Sequence, residues 1–518
     1  MVQFLSKRIL HSVEQVRVRF APSPTGHLHL GGLRTALYNF LFARHHKGRF
    51  ILRIEDTDKA RLVPGSAEEI QRVLTHYGLR YDEGPFAGGS FGPYVQSERL
   101  SFYQDAAARL IDSGDAYRCF CSEDRLALLR KDAIRRNTTP KYDMKCRSIA
   151  EVESKARAAG GEPFVVRFKL DRQDVFFKVA IPVVLFFVLY VDDVYGQIHQ
   201  CIDESDMVIL KTDGFPTYHL ANIVDDQAMQ ISHVIRGMEW LSSTGKHVLL
   251  YKAFGWQHPN WLHLPLITRD SKKKLSKRDK DAFVDFYELK LGALPLAVLN
   301  LLIRNGSGIR DFDTTHLYSL EEMITSFDEN EIGRRSLQLD QECLEKYGRM
   351  SVRAADVDDV LLPAIKGLIA RDLPSVVVPS DDYLRKVVGF LKLNEEAFAF
   401  LSSLTTGDFR WFLTKPLSAK RVLSMFDHSA AVEALNILRD CDSLEPESIK
   451  RISENIGLPY TSLFTLVRVT LIDSSKGPPI KELVSFFGIN ECKLRFQQMI
   501  EYLRSESVQS CTSIRRDT

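Results

Sequence analysis

The chain has 518 residues, a length that typically divides into about three domains. Hydrophobic residues make up 45% and charged residues 26%, a balance that excludes a disordered or collagen-like chain. The 69 Lys plus Arg against 67 Asp plus Glu leave a net charge of +2, so any nucleic-acid surface must be a local patch. Eight cysteines without a disulfide-like spacing favour a reducing compartment.

The chain starts with a basic, amphipathic segment. Met1–Ser12 contains Lys7 and Arg8 but no acid, and its apolar residues recur at roughly helical spacing. This pattern is typical of a mitochondrial presequence, so we expect residues 1–15 to be a presequence and the protein to act in the mitochondrial matrix. The alternative is an ordinary, unprocessed terminus.

The next elements predict the opening of a parallel α/β sheet. Val16–Phe20 alternates as a strand does, a Gly-rich turn leads into a helix that ends at Gly48, and Phe50–Ile54 is a second strand. In such sheets, ligands bind beyond the carboxyl ends of the strands. The segments Pro22–Gly32 and Glu55–Asp58 lie at that position.

Later elements predict strands and then a helical region. Val165–Leu170 and Met207–Lys211 are strand candidates. Between them, Val179–Val191 is an uncharged apolar run that is shorter than the roughly 20 residues of a membrane span, so we expect a buried strand or strand pair. From about Leu320 the apolar residues keep helical spacing, which predicts a separate all-helical domain.

Two distant elements carry the chemistry. Ser23–Gly32 joins a strand to a helix, where backbone N–H groups and glycines suit a phosphate and His29 can donate to a phosphate oxygen. Lys274–Arg278 is a cation-rich loop whose ammonium groups suit the charge of phosphoryl chemistry. Each element alone is weak, because turns and lysine-rich loops are common, but the pair is specific.

These two elements resemble the HIGH-type and KMSKS-type signatures of class I aminoacyl-tRNA synthetases. The surrounding motifs narrow the resemblance to the glutamyl-tRNA synthetases of the bacterial and mitochondrial type. The matching segments run in order along the chain: Arg19–Gly26, Leu52–Asp58, Tyr81–Pro85, Gln96–Arg99, Asp213–Asn222, Val224–Asp226, Ile235–Trp240 and Leu250–Trp256.

The resemblance implies an α/β fold: a Rossmann-like catalytic domain, an inserted acceptor-stem-binding domain and an all-α anticodon-binding domain. The implied boundaries are 16–118 and 205–310 for the catalytic domain, 119–204 for the insertion, 311–365 for a connecting region and 366–518 for the helical domain. Leu463, Phe464, Arg468, Leu471, Gly477 and Pro478 resemble the last conserved block of the helical domain. For Arg468, a solvated helix charge is an equal alternative.

Site residues follow from the resemblance one at a time. The implied glutamate pocket consists of Arg19, Ser23, Glu55, Tyr218, Arg236 and Trp240. The implied ATP site consists of His29, Gly31, Gly32, Lys274, Ser276 and Lys277, with His29 and Lys277 as catalytic residues. The residue types fit, because arginine grips a carboxylate bidentately and the aromatic rings offer apolar walls. The alternatives are surface ion pairs for Arg19 and Arg236 and core packing for Trp240.

The implied activity is ligation of glutamate to tRNA. The glutamate α-carboxylate attacks the α-phosphorus of ATP, Mg²⁺ bridges the phosphates, and a terminal ribose hydroxyl of tRNA-Glu then takes the acyl group. Whether tRNA-Gln is also charged stays open. The family also implies a monomer, and no membrane contact is expected. The alternatives are a glutamyl-queuosine tRNA synthetase-like enzyme and a catalytically impaired tRNA-binding homologue.

Two features depart from the family pattern. Cys119, Cys121 and Cys146 resemble a zinc site, but Ser148 stands where the fourth ligand is a histidine, so zinc is not expected. Val179–Val191 has no counterpart in the family. It is either an artefact of the gene model, such as a retained intron, or a real insertion that threatens solubility and acceptor-stem docking.

Overall fold

The computed structural model describes residues 15–170, 187–269, 279–304, 308–393, 398–416 and 418–513. Within them the chain divides into two compact units. The first consists of the chain up to Tyr287 together with Pro295–Leu344, and the second of Glu288–Leu294 together with the chain from Glu345 onward. The predicted presequence, except its last residue, lies outside the described residues.

Within the described part of the chain, all strands belong to the first unit. They are β1 (Arg17–Phe20), β2 (Arg49–Leu52), β3 (Ala116–Cys119), β4 (Val165–Phe168), β5 (Phe187–Asp192), β6 (Gly196–Cys201), β7 (Met207–Leu210), β8 (His233–Gly237), β9 (Asn260–Leu264), β10 (Ile267–Thr268) and β11 (Leu337–Gln338). Its helices are α1 (Leu30–His45), α2 (Ser66–His76), α3 (Leu100–Asp112), α4 (Glu123–Arg135), α5 (Glu151–Ala159), α6 (Tyr218–Ala228), α7 (Leu241–Phe254), α8 (Pro295–Ile303) and α9 (Leu320–Thr325).

The predicted β1–α1–β2 opening is confirmed. β1 and β2 are parallel, with Arg19 opposite Ile51, and α1 connects them. Gly48 is needed at the end of that connection, since a Cβ on it would lie 2.3 Å from the Val16 carbonyl oxygen. Ser232 immediately precedes β8, and its backbone N–H donates to Arg17 O. This hydrogen bond connects β1 to the start of β8.

Two further sheets complete the first unit. The order β3–β4–β7 is antiparallel, and it contains both strands that were predicted around Val165 and Met207. The other sheet has the order β6–β5–β9–β8, in which β8, β9 and β5 run parallel. Its β8–β9 pairing places Arg236 beside His263, which brings the end of β8 to the candidate site.

The described part of the apolar run Val179–Val191 forms a strand, as predicted. Strand β5 pairs antiparallel with β6 and meets β9 through Asp192 and Trp261. Val188 and Tyr190 are buried in the core of the first unit, whereas Leu189 and Val191 are exposed. β5 therefore joins the sheet that carries Arg236, although the sequence placed this segment in an inserted domain.

The second unit is helical, as predicted. After α10 (Gln341–Ala354), which spans the unit boundary, it contains α11 (Leu362–Asp372), α12 (Asp381–Leu393), α13 (Lys420–Leu423), α14 (His428–Asp440), α15 (Pro446–Ile456), α16 (Tyr460–Ile472), α17 (Ile480–Phe487) and α18 (Ile489–Ser513). Asp427 caps α14 by accepting from two backbone N–H groups, and Pro446 at the first turn of α15 suits a helix start. Leu384, Leu435 and Leu463 are fully buried in its core.

The second unit begins at Glu345, earlier than the predicted boundary at residue 366. The reason is that Val352, Leu361, Leu362 and Ile365 belong to the helical core and not to a separate connecting region. Among the described residues, no helix is both long enough and apolar enough to cross a membrane.

Candidate active site

A cavity of about 720 Å³ lies at the carboxyl ends of β1, β2 and β8. Nine of the predicted site residues line it: Arg19, Ser23, His29, Gly31, Gly32, Glu55, Tyr218, Arg236 and Trp240. The other three predicted residues, Lys274, Ser276 and Lys277, lie outside the described residues. One cavity thus collects the residues that the sequence assigned separately to glutamate and to ATP.

His29 caps the helix that opens the site. Its Nδ1 accepts from Gly32 N at 3.0 Å, at the N-terminus of α1. A neutral His29 therefore carries its proton on Nε2, which is the donor that the predicted phosphate contact requires. The cap uses one nitrogen of the ring to organise the helix start and leaves the proton on the other.

The two glycines behind His29 allow close packing of this turn. A Cβ on Gly31 would lie 3.1 Å from the His29 ring, and a Cβ on Gly32 would lie 2.6 Å from a Leu28 methyl group. A side chain at Gly32 would require the Leu28 side chain to move. The N-terminus of α1 lies at the cavity, where the helix dipole favours an anion, although the Gly32 N–H is itself used by the His29 cap.

Arg19 is buried and not a surface residue. Its guanidinium contacts Asp226 at both carboxylate oxygens, from Nε at 3.0 Å and from Nη2 at 3.3 Å. Arg53 also donates to Asp226, at 2.6 Å. Burial alone would raise the pKa of Asp226, but the two arginines lower it below its ordinary value, so Asp226 stays charged and holds both guanidinium groups in place.

Glu55 lies directly after β2 on the wall of the cavity. Arg53 Nη2 donates to its Oε1 at 3.0 Å. Burial raises the pKa of Glu55, and the attraction of Arg53 and Arg19 only partly opposes that rise. A buried carboxylate of this kind gains from a second cation, which fits the predicted contact with a substrate ammonium group.

Arg236 projects from β8, and its guanidinium is surrounded by neutral hydrogen-bond acceptors. Its Nε donates to His263 Nε2 at 3.0 Å, and its Nη2 donates to Thr244 Oγ1 at 2.7 Å. Its Nη1 donates to Tyr218 Oη at 3.1 Å and lies 3.4 Å from His247 Nδ1. Arg236 is only 4% exposed, so the surface ion pair that was the alternative in the sequence is wrong for this residue.

Tyr218 and Trp240 form an aromatic wall. Tyr218 begins α6 and its ring centroid lies 4.3 Å from that of Trp240, with 33° between the planes. Trp240 is 40% exposed, so its alternative role in core packing is wrong. The pair bounds the cavity on the side of Arg236 and gives a substrate chain an apolar surface.

The partners behind the cavity were not predicted as site residues. Asp226, Arg53, His247, His263 and Asp192 each contact a lining residue or its partner. Arg53 and Asp226 lie in the family-like segments Leu52–Asp58 and Val224–Asp226, but no role followed for them from the sequence. The local signals for buried polar groups are two adjacent acids in an apolar helix and a histidine in the apolar strand β9. Lys211 also lines the cavity and donates to Thr57 O at 3.1 Å.

The segment after the predicted Lys274–Arg278 loop is tied to the His29 turn. Val284 N donates to Leu28 O at 2.9 Å, and Phe283 forms a β-bridge with His29 and lines the cavity. The two signature elements are 240 residues or more apart in sequence, and this pairing brings the chain that follows the second to the first.

The three predicted zinc candidates lie together outside this cavity. Cys121 Sγ is 3.5 Å from Cys146 Sγ, and all three thiol sulfurs lie within 4.8 Å of one another. Tyr142 Oη lies 3.3 Å from Cys119 Sγ and 3.7 Å from Cys121 Sγ. A phenol oxygen is not one of the usual zinc ligands, and burial raises the pKa of Tyr142, so these contacts do not supply a fourth ligand to the three sulfurs. The absence of zinc stays a prediction.

Arg468 is not a solvated helix charge. It is half-buried on α16, with Nε 3.4 Å from Pro478 O and Nη1 3.4 Å from Ser475 O. Its guanidinium therefore holds the loop that follows its own helix.

Comparison with known proteins identifies the family of this chain. Residues 15–346 match the family described as tRNA synthetases class I (E and Q), catalytic domain. The glutamate–tRNA ligase of Alkaliphilus metalliredigens is 34% identical, covering 95% of this chain and 100% of that protein. The one from Dehalococcoides mccartyi strain BAV1 is 38% identical, covering 94% and 98%.

A solved structure extends the match to three dimensions. The glutamate tRNA ligase from Elizabethkingia meningosepticum, solved in complex with its amino acid, superposes with a TM-score of 0.77 at 34% identity. The match covers 95% of this chain and 100% of that one, so it includes the helical unit. The chain belongs to the glutamate–tRNA ligase family of class I tRNA synthetases.

Proposed function

We propose that this protein attaches L-glutamate to tRNA-Glu through a glutamyl-adenylate and that it serves translation in the mitochondrial matrix as a monomer. The observation that carries the proposal is the single cavity at the carboxyl ends of β1, β2 and β8. Its lining combines arginines for carboxylates, an acid for an ammonium group and a helix N-terminus for a phosphate.

The charges of the cavity suit a dicarboxylate amino acid. Arg19 and Arg236 are cations at two sides of it, and Glu55 is the anion suited to an α-ammonium group. Arg236 has no carboxylate in hydrogen-bond contact among the described residues, so its charge is available to the substrate. A guanidinium that accepts no proton and offers parallel N–H donors matches a carboxylate better than any neutral side chain.

ATP fits the other end of the cavity. His29, Gly31 and Gly32 place an imidazole ring and the N-terminus of α1 on this part of the cavity wall. These groups can orient a phosphate and offset its charge, and Mg²⁺, when bound with ATP, would supply further positive charge. Positioning and charge stabilisation dominate such a transfer, so no side-chain base is required at the attacking carboxylate.

The helical unit speaks against the shorter glutamyl-queuosine alternative. The residues from Glu345 form a compact unit of their own, and full-length glutamate–tRNA ligases match 95% of the chain. A paralogue without an anticodon-binding domain would leave these residues unmatched. We propose that the helical unit binds the anticodon end of the tRNA.

The mitochondrial assignment rests on the composition of Met1–Ser12, and the choice of tRNA rests on no observed contact. We therefore keep tRNA-Gln as a second acceptor to be tested beside tRNA-Glu. Charging of tRNA-Gln would add a substrate without changing the site.

The test is glutamate transfer onto purified mitochondrial tRNA-Glu and tRNA-Gln by the full chain, with ATP and Mg²⁺. We expect charging of tRNA-Glu, and no charging when ATP is left out. A chain that binds tRNA-Glu but neither charges it nor exchanges pyrophosphate in its presence would instead support the catalytically impaired homologue. Expression with an organelle marker tests the location.

A further inference from the structure

Arg236 is the end of a buried chain of polar contacts across three adjacent strands. From β8 its Nε donates to His263 Nε2 on β9 at 3.0 Å, and His263 Nδ1 lies 2.5 Å from Asp192 Oδ2 at the end of β5. His263 is 0% exposed and Asp192 is 1% exposed. Neither residue lines the cavity, so both act on it only through Arg236.

The donors along this chain fix where its protons lie. A guanidinium only donates, so His263 Nε2 must accept, and the neutral ring carries its proton on Nδ1 and donates it to Asp192. The other oxygen of Asp192 accepts from the backbone N–H groups of Val194 and Tyr195, at 3.0 and 2.9 Å. The carboxylate is therefore itself held in place and selects the tautomer of His263.

The electrostatics agree with a neutral ring. Burial lowers the pKa of His263, the hydrogen bond to Asp192 partly opposes this, and Arg236 lowers it further. His247, which contacts the Nη1 side of the same guanidinium, likewise has its pKa lowered by burial and by Arg236. Both histidines thus accept from Arg236 without adding a competing charge.

Arg236 differs in this respect from the other buried arginines of the site. Among the described residues its hydrogen-bond partners are all neutral: His263, His247, Tyr218, Thr244 and the Trp240 carbonyl group. Arg19 and Arg53 instead donate directly to carboxylates. The nearest acid in the chain of contacts, Asp192, is separated from Arg236 by the imidazole ring. The arrangement orients the guanidinium while leaving its charge unpaired.

We propose that Asp192 and His263 are positioning residues, which set the plane of the Arg236 guanidinium for a carboxylate of the amino-acid substrate. This inference rests on the proposed function, because it takes Arg236 to contact glutamate. Asp192 is fixed by backbone N–H groups and holds the His263 ring in one tautomer. That tautomer presents an acceptor nitrogen to Arg236 Nε and so orients the guanidinium. Nη1 has one short and one long contact, at 3.1 and 3.4 Å, and Nη2 likewise, at 2.7 and 3.3 Å. A substrate carboxylate must replace the long contacts, and the orientation of the guanidinium plane decides whether it can do so.

The decisive variant is Asp192→Asn. Asparagine keeps the size and an oxygen for the Val194 and Tyr195 N–H groups, but it presents an amide N–H to His263 Nδ1. The imidazole proton then moves to Nε2, where it faces the Arg236 Nε–H. We expect the KM for glutamate to rise about 10- to 100-fold, while the KM for ATP changes by less than about twofold.

Two substitutions of His263 serve as the matched control. His263→Gln can place its amide oxygen near the former Nε2 and keep the acceptor for Arg236, so we expect a smaller rise in the KM for glutamate. His263→Asn keeps only a donor near Asp192 and should behave like Asp192→Asn. In the His263→Gln background, Asp192→Asn should add little, because no tautomer remains to be inverted.

The outcomes separate this inference from the function on which it rests. Arg236→Gln is the reference: if it leaves the KM for glutamate unchanged, or if the wild-type chain does not charge tRNA, the proposed function or its site is wrong. If Arg236→Gln raises the KM for glutamate but Asp192→Asn does not, the positioning role is wrong. Equal effects of His263→Gln and His263→Asn also overturn it, and that comparison still stands if Asp192→Asn fails to fold.

Discussion

Glu55 is the residue of the cavity whose charge depends most directly on its surroundings. Its pKa is raised by burial, and Arg53 and Arg19 only partly offset that effect. The carboxylate is thus easier to protonate than an exposed glutamate, and under the proposed function its charged form binds the substrate ammonium group.

We therefore predict that glutamate binding weakens on mild acidification. As the pH falls through the raised pKa of Glu55, the carboxyl group becomes neutral and the KM for glutamate rises. Glu55→Gln should have a high KM for glutamate at neutral pH and should lose this acid-dependent rise, because glutamine does not titrate. The measurement is the KM for glutamate between about pH 5 and 8, with the KM for ATP as the control. Parallel pH profiles of the two proteins would contradict the assignment.

At the scale of single residues, the sequence could predict the residues that line the cavity but not the buried residues that hold them in place. Arg19, Glu55 and Arg236 are recognisable from local motifs that end at strand termini. Asp226 and His263 reach them from 207 and 27 residues away, so their contacts exist only after the sheet has formed. No local pattern states which acid pairs with which arginine, and a single sequence contains no pairing information of that kind.

Strand β5 shows how an anomalous segment can still carry structure. Its alternation of buried Val188 and Tyr190 with exposed Leu189 and Val191 is that of a strand with one covered face. Tyr190 packs edge-on against Trp261, with 5.9 Å between ring centroids, and its hydroxyl donates to Leu241 O at 3.2 Å. The end of this strand holds Asp192, so β5 connects the apolar run to the candidate site.

This alternation predicts opposite results for two neighbouring substitutions. Tyr190→Ala should lower the free energy of unfolding by about 3 to 5 kcal/mol, because it empties a buried aromatic site. Leu189→Ala, on the exposed face, should change it by less than about 0.5 kcal/mol. Urea unfolding of both variants checks the pair. Similar losses for the two would mean that the strand is not placed as described, and failure to find its peptide in the native protein would favour the gene-model artefact.

Among the elements, β1, α1 and β2 were predictable because their periodicity and turn residues are local. The position of β5 was not, since a uniformly apolar run predicts burial but does not say against which strand. Its partner β9 begins 68 residues after β5 ends. The family resemblance could not place the strand either, because Val179–Val191 has no counterpart in the family.

At the scale of the molecule, the two units have separate hydrophobic cores. Asp226 is buried in the first, where it holds two arginines, and Leu435 is fully buried in the second. A chain with two such cores need not unfold as one cooperative body. The two residues offer independent probes of the two units.

We predict that the unfolding transitions of the units respond separately. Asp226→Asn breaks a buried ion pair, which typically costs about 3 to 5 kcal/mol, and it should lower only the transition of the first unit. Leu435→Ala should lower only the second, by about 2 to 5 kcal/mol. Differential scanning calorimetry near neutral pH makes the measurement, and each variant identifies the transition of the unit in which it lies. One shared transition that both variants lower equally would contradict the prediction.

The lowered pKa of Asp226 also determines how the stability of the first unit changes in acid. The pKa of Asp226 is lower in the folded chain than its ordinary value, so its stabilising contribution is present above about pH 4 and is lost as the pH falls through the folded pKa. The first-unit transition of the wild-type protein should fall over that range, and that of Asp226→Asn should fall less.

The contacts of Asp225 and Asp226 also affect how well the chain tolerates insertions between Arg99 and Asp225. These two acids bind Arg19, Arg53 and Arg99, so the segment between Arg99 and Asp225 is a closed excursion of the chain. The entropy of closing such a loop grows only with the logarithm of its length, so the thirteen residues of Val179–Val191 alter it by roughly 0.1 kcal/mol. Insertions are therefore nearly neutral for closure there, provided the added residues find a covered face, as Val188 and Tyr190 do. Buried ion pairs that join the two ends of a long segment allow its length to change in evolution while the geometry of the candidate site stays constant.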